Sequence, residues 1–148
     1  MVVRTVRGDI SPGVLGVTYM HEHLYGFSPS EGTDPDLNLD SEAAAAHELM
    51  LFKQAGGQAI VEMSPQDYNR NPQVLKRLSE TTGIHVIAVT GYIKAVSADR
   101  FVEHKSVNDI TNELIKDVSE GMNSTTIKAG LLKAGSSLNK ITPNEEKM

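Results

Sequence analysis

Extended and helical stretches alternate along this chain, and that alternation limits its fold more than any other feature. Residues 14–20, 58–63, 85–90 and 127–133 are runs of β-branched and apolar residues bounded by turn formers, which read as strands. Between them lie three helices with clear punctuation. The first starts at Asp40-Ser41, repeats apolar residues at Ala45, Leu49, Phe52 and Ala55, and ends at Gly56-Gly57. The second has a cap residue and a proline at Asn71-Pro72, one apolar face at Leu75 and Leu78, and a stop at Gly83. The third opens with Ser106 and Asp109 as a capping box and runs through Ile110, Leu114 and Val118 to Gly121. A strand followed by a helix and another strand implies a crossover between parallel strands. The fold class is therefore α/β, as an open doubly wound sheet or a closed (β/α) barrel.

Ahead of this pattern, residues 2–6 and 14–20 read as a hairpin turning at Ser11-Pro12-Gly13. Residues 27–38 read as a long polar loop, and residues 91–105 as a second loop. The four strand ends recur about every 37 residues, so eight such units would need about 300. Thr142-Pro143-Asn144-Glu145 has the chemistry of a helix start shortly before Met148. The expectation is that residues 1–148 are the N-terminal half of one domain: a hairpin, then the first four βα units of a barrel.

Composition narrows the function classes. With 14 Lys and Arg against 19 Asp and Glu the formal charge is −5, which lacks the basic excess that nucleic acid requires. No segment is polybasic, none approaches the ~18 apolar residues of a membrane span, and the N-terminus has no signal-peptide core. A soluble, cytoplasmic protein is expected, with no nucleic-acid or membrane partner. There is no cysteine, which excludes disulfides, thiolate metal sites and thiol catalysis. Any metal falls to histidine, carboxylate or a less usual ligand.

His21 and His23 flank Glu22 at the end of the first barrel strand. Alternation along a strand puts both imidazoles on one face and Glu22 on the other. In a barrel that face is the interior, at the rim where active sites sit. Two imidazoles side by side are half of a metal site; the same pair serves equally well as two hydrogen-bonded histidines. Lys133 ends the fourth strand after Gly130-Leu131-Leu132. An ammonium there must find an opposite charge, lose its proton, or take up carbon dioxide as a carbamate, and a surface or salt-bridged lysine is the commoner case. His47, His85 and His104 read as surface or structural residues, and Glu22 as a hydrogen-bonded carboxylate facing the helices; Glu62, near the end of the second strand, could support a metal ligand, though a solvated or packed carboxylate is the commoner case.

These features occur within longer stretches that resemble the phosphotriesterase family of the amidohydrolase superfamily. Thr5-Val6-Arg7-Gly8 with the run from Leu15 through His21-Glu22-His23 to Leu24 is similar to the family's N-terminal signature. Phe52-Lys53-Gln54-Ala55-Gly56-Gly57, the run Thr82 to Tyr92, and Lys128 to Lys133 extend the similarity in order over nearly the whole chain. The resemblance implies a (β/α)8 TIM-type hydrolase with two divalent cations, most commonly zinc, at the C-terminal mouth. It implies that His21 and His23 bind the more buried metal and that Lys133, carbamylated, bridges both. The implied nucleophile is a metal-bridging hydroxide acting on an ester, lactone, amide or phosphotriester, and the implied partners are a small-molecule substrate and, at full length, a second copy in a homodimer. The family's two further histidines and its aspartate follow strands five, six and eight, beyond the four units read here. Tyr92 and Ile93 lie where relatives carry aromatic residues beside the substrate, although an ordinary apolar loop accounts for Ile93 as well. Arg70, in Asn69-Arg70, reads as structural and paired with a rim carboxylate. The rival expectation is a catalytically inactive half-barrel that serves only as an assembly or binding module.

Overall fold

A computed structural model describes residues 1–27, 38–136 and 139–148, the side chains of 95–97 excepted. The chain opens with two short antiparallel strands, β1 (Val3–Thr5) and β2 (Gly8–Ile10). The strands β3 (Thr18–Glu22), β4 (Ala59–Glu62), β5 (His85–Gly91) and β6 (Leu131–Lys133) then form one parallel sheet in sequence order. Helices α1 (Glu42–Gln54), α2 (Pro72–Thr82), α3 (Ala95–Val102) and α4 (Val107–Ser119) lie between them. Sequential parallel strands joined by helical crossovers are the arrangement expected of the first four units of a (β/α)8 barrel.

Local chemistry sets the helix ends. The Ser41 hydroxyl accepts from Ala44 N, Asn71 accepts from Val74 N with Pro72 behind it, and Gly83 closes α2 in the left-handed region. Ser106 and Asp109 form both halves of the capping box. Thr142 and Glu145 exchange the two bonds of a helix start, at 2.8 and 3.2 Å, ahead of a single 3-10 turn over Glu145–Lys147.

Three expectations are corrected. The hairpin turns at Val6-Arg7 rather than at Ser11-Pro12-Gly13, because Gly8 accepts a φ of +118° that lets β2 fold straight back on β1. Ser11-Pro12-Gly13 instead leads a 3-10 turn over Pro12–Val14. The span 91–105 is not all loop; it contains α3, which has no side-chain cap to announce it. The last strand is shorter than 127–133, since Ala129 N bonds to Asp117 O and only residues 131–133 pair in register with β5. The loop expected over 27–38 lies largely outside the described residues.

Two apolar layers flank the sheet. On the helix side α1 and α2 bury Leu49, Leu75 and Leu78 against Ile60, Val86 and Ala88, and α3 and α4 enclose Tyr92, Ala98, Val102 and Ile110. On the concave side Val61, Ile87 and Val89 pack with Val3, Leu15 and Met63. The hairpin thus plugs the N-terminal end of the curl, tied there by Val6 N to Val86 O and Arg4 Nη1 to Val118 O. The outer strands expose Tyr19 and Met20 on β3 and Leu131 and Leu132 on β6. No helix among the described residues is long and apolar enough to cross a membrane.

Candidate metal centre at the strand ends

The direction of the histidine pair is decided by one irregularity in β3. Tyr19 pairs with Ile60, but Glu22 pairs with Glu62, so three steps of β3 cover two of β4. A bulge of one residue reverses the alternation beyond it. Tyr19 lies on the helix side against Phe52, and after the bulge Glu22 lies there too, in a groove of about 440 Å³ shared with Tyr19, Leu24 and Leu49. His21 and His23 are thereby sent to the concave side, where Met20 adjoins Val61 and Ile87. The two rings stand 5.4 Å apart, edge to face. Glu22 accepts from His23 N at 2.9 Å, as a carboxylate on the helix side should.

The end of β4 gathers the rest. His23 Nδ1 lies 2.9 Å from Ser64 Oγ, and the Tyr68 ring packs on the imidazole at 4.9 Å. Lys133 Nζ donates to Met63 O at 2.9 Å. His23 and Lys133, from opposite edges of the sheet, are therefore anchored on adjacent residues of one strand end. Burial, then the Lys133 ammonium and His21, push His23 down to about 4, so it is neutral at pH 7. Burial pushes the Lys133 amine down as well, against the upward pull of Asp67 and Glu62. Glu62 is fully buried and accepts from Leu24 N at 3.3 Å and Ser64 N at 3.2 Å. Burial raises it to about 7 against those bonds and the Lys133 charge.

The remaining candidates occupy other places. Tyr92 is 2% exposed and packs with Ala98, Val102 and Ile110 on the helix side, its hydroxyl donating to Glu113 at 3.2 Å. The ring thus packs among the helix-side residues, and among the described residues no contact joins Tyr92 to the histidine pair. Ile93 is partly exposed beyond β5, its N–H held by Asp67 Oδ2 at 2.9 Å. Arg70 is structural, but its carboxylate is Asp117 of α4 rather than one on the rim, at 2.9 Å. His47 and His104 are exposed, and His85 at the far end of β5 meets Arg7. The sequence pointed to the histidines and Lys133 but not to Ser64, Asp67 or Tyr68. The available signal was their position just past a strand's C-terminal end, where barrel sites are built.

As a donor set, two imidazoles and a lysine amine at one mouth fit part of a metal centre. Among the described residues no group of three or more His, Cys, Asp or Glu completes it.

The sequence profile of the Phosphotriesterase family matches residues 1–148. The phosphotriesterase homology protein of Escherichia coli K12 is 32% identical over 134 residues, covering 90% of this chain and 46% of that protein. N-acetyltaurine hydrolase of Danio rerio is 31% identical over 176 aligned positions, covering 99% of this chain and 50% of that one. The crystal structure of a lactonase from Listeria monocytogenes superposes with a TM-score of 0.89 at 29% identity, over 99% of this chain and 51% of its own. The chain spans about half the length of the curated relatives it matches.

Proposed function

This chain belongs to the phosphotriesterase family, and from that premise we propose that residues 1–148 are the N-terminal half of a metal-dependent hydrolase barrel. Its complete form would cleave an ester, lactone, amide or phosphotriester of a small molecule. The observation that carries this reading is the convergence of His23 and Lys133 on Met63 and Ser64, with His21 beside them. The named relatives include a hydrolase and a lactonase, which favours an enzyme over a non-catalytic assembly module. The exposed apolar residues on β3 and β6 mark the edges where four further βα units would pair.

His21 and His23 would hold one divalent ion through ring nitrogens, with zinc the best match to imidazole. Lys133 would reach the same ion and a second one. Uptake of carbon dioxide by its amine, with loss of a proton, turns it into an anionic ligand with two oxygens. When bound, the metals would supply an activated water and a Lewis acid for the substrate's carbonyl or phosphoryl oxygen. The chain's own residues orient and shield: Ser64 and Tyr68 fix the His23 ring, Met63 O steadies Lys133, and Ile93, its N–H held by Asp67, would offer an apolar wall to the substrate.

The test is metal analysis of the full-length protein with hydrolysis assays on a lactone, an N-acyl amide and a phosphotriester. Hydrolysis of at least one with bound zinc is expected, and both should fall sharply in Lys133→Ala. Unchanged metal content and unchanged hydrolysis in that variant would remove the bridging role of Lys133.

A further inference from the structure

We infer that the cleft between the β1–β2 hairpin, α2 and the approach to β6 is a binding site for a small organic phosphate. The cleft has a volume of about 410 Å³ and is lined by Arg4, Arg7, Lys76 and Lys128, with Asp9 as its one carboxylate. Lys128 precedes β6 whereas Lys133 ends it, and Val6 of the hairpin bonds to Val86 near the start of β5. The cleft therefore opens at the N-terminal end of the sheet, opposite the histidine pair, and takes no residue from the mouth. It does not rest on the metal reading above. The chain as a whole carries a charge of −5, so four cations facing one carboxylate reverse the local sign, and a concave wall focuses that field. The two arginines are held in place. Arg4 Nε donates to Asp9 at 3.0 Å and its Nη1 to Val118 O at 2.7 Å, while Arg7 Nη2 donates to Gly83 O at 3.3 Å and lies 3.2 Å from His85 Nδ1. A guanidinium has five N–H donors, so both keep donors to give, already oriented. The two lysines are barely engaged: Lys76 has an exposed Glu80 at 3.8 Å, and among the described residues Lys128 makes no ion pair. A single carboxylate ligand would use little of this charge, whereas a phosphate ester brings about two negative charges at neutral pH and three acceptor oxygens. Val6 and Ile127, 3% and 8% exposed, line the same cleft and give it an apolar floor for the rest of the ligand. The volume lies within the roughly 300–1,000 Å³ of small-molecule sites, which leaves room for an organic part beside the phosphate.

Calorimetric titration of the metal-free full-length protein with ADP, beside adenosine as the phosphate-free control, tests this at about 50 mM salt, where the cleft's field is little screened. Removing metal keeps phosphate from binding at the mouth. ADP should bind once per chain and adenosine should not. Lys76→Ala/Lys128→Ala removes two cations that make no hydrogen bond to the fold, and should weaken ADP about 10-fold or more. Lys128→Gln alone keeps the side chain's length and gives a reading should the double variant unfold; it should weaken ADP several-fold. Lys140→Ala lowers the net charge outside the cleft and should leave the affinity within about twofold. No binding of ADP by the wild type at about 1 mM overturns the inference, given that phosphate contacts from four cations should hold it more tightly. Wild-type affinity in both cleft variants, an equal loss in Lys140→Ala, or adenosine binding as well as ADP overturns it too.

Discussion

Asp117→Ala takes away the carboxylate that Arg70 Nη2 meets at 2.9 Å, in a place where the Arg70 side chain is 1% exposed and that of Asp117 is 9% exposed. The arginine cannot shed its charge and has no water to turn to. It would keep two neutral acceptors, Val89 O at 3.1 Å and Asn123 Oδ1 at 2.8 Å, and Thr90 Oγ1 would lose the same carboxylate at 2.5 Å. Removing one partner of a buried pair costs about 3–5 kcal/mol. Because Arg70 keeps neutral acceptors, the lower end, about 3 kcal/mol, is expected. With a urea m-value of about 2 kcal/mol/M, the midpoint should fall by roughly 1.5 M at unchanged m. Replacing both members, Arg70→Met with Asp117→Leu, leaves no uncompensated charge. It should cost clearly less than the sum of the single changes, with a coupling of about 2 kcal/mol. A midpoint shift below about 0.5 M for Asp117→Ala, or strict additivity in the double variant, would refute the argument that an isolated buried charge is what the pair prevents.

Glu62 gives a pH signature. Its folded value, about 7 against 4.5 unfolded, means that its contribution to stability is full below pH 4.5 and is lost as pH rises to about 7. Glu62→Gln should therefore gain on the wild type by up to about 3 kcal/mol between pH 4.5 and 8 in urea titrations, and a constant difference would contradict the shift. Gly91 has φ of +108°, and a Cβ there would lie 1.9 Å from Lys133 O. Gly91→Ala should cost about 3 kcal/mol or more by displacing β6, read as a lowered melting temperature. Ser106→Ala removes the hydroxyl that accepts from Asp109 N and donates to Asp109 Oδ2, keeps the Ser106 N–H half of the α4 capping box, and should cost about 1 kcal/mol in the same assay.

What the sequence disclosed was local. Caps at Ser41, Asn71 and Ser106 and the stop at Gly83 act within one helical turn, so their residues are informative where they stand. The uncapped α3 offered no such mark. The separation of two placed His21 and His23 on one side, but which side depended on a bulge that exists only through pairing with β4. Without it both would share the Tyr19 side, against the helices. Ser64, Asp67 and Tyr68 matter because they meet His23 and the β5 end across the sheet, contacts that no short window contains. Tyr92 shows the converse, since its place beside the mouth in sequence says nothing of its turn into the helix layer.

The central claim is that the concave strand ends hold a metal. Zinc content measured by elemental mass spectrometry on full-length protein purified without chelators tests it most directly, wild type beside His21→Ala/His23→Ala. The account predicts bound zinc in the wild type and its loss in the double variant with the fold retained. Equal zinc in both, or none in either, would contradict it.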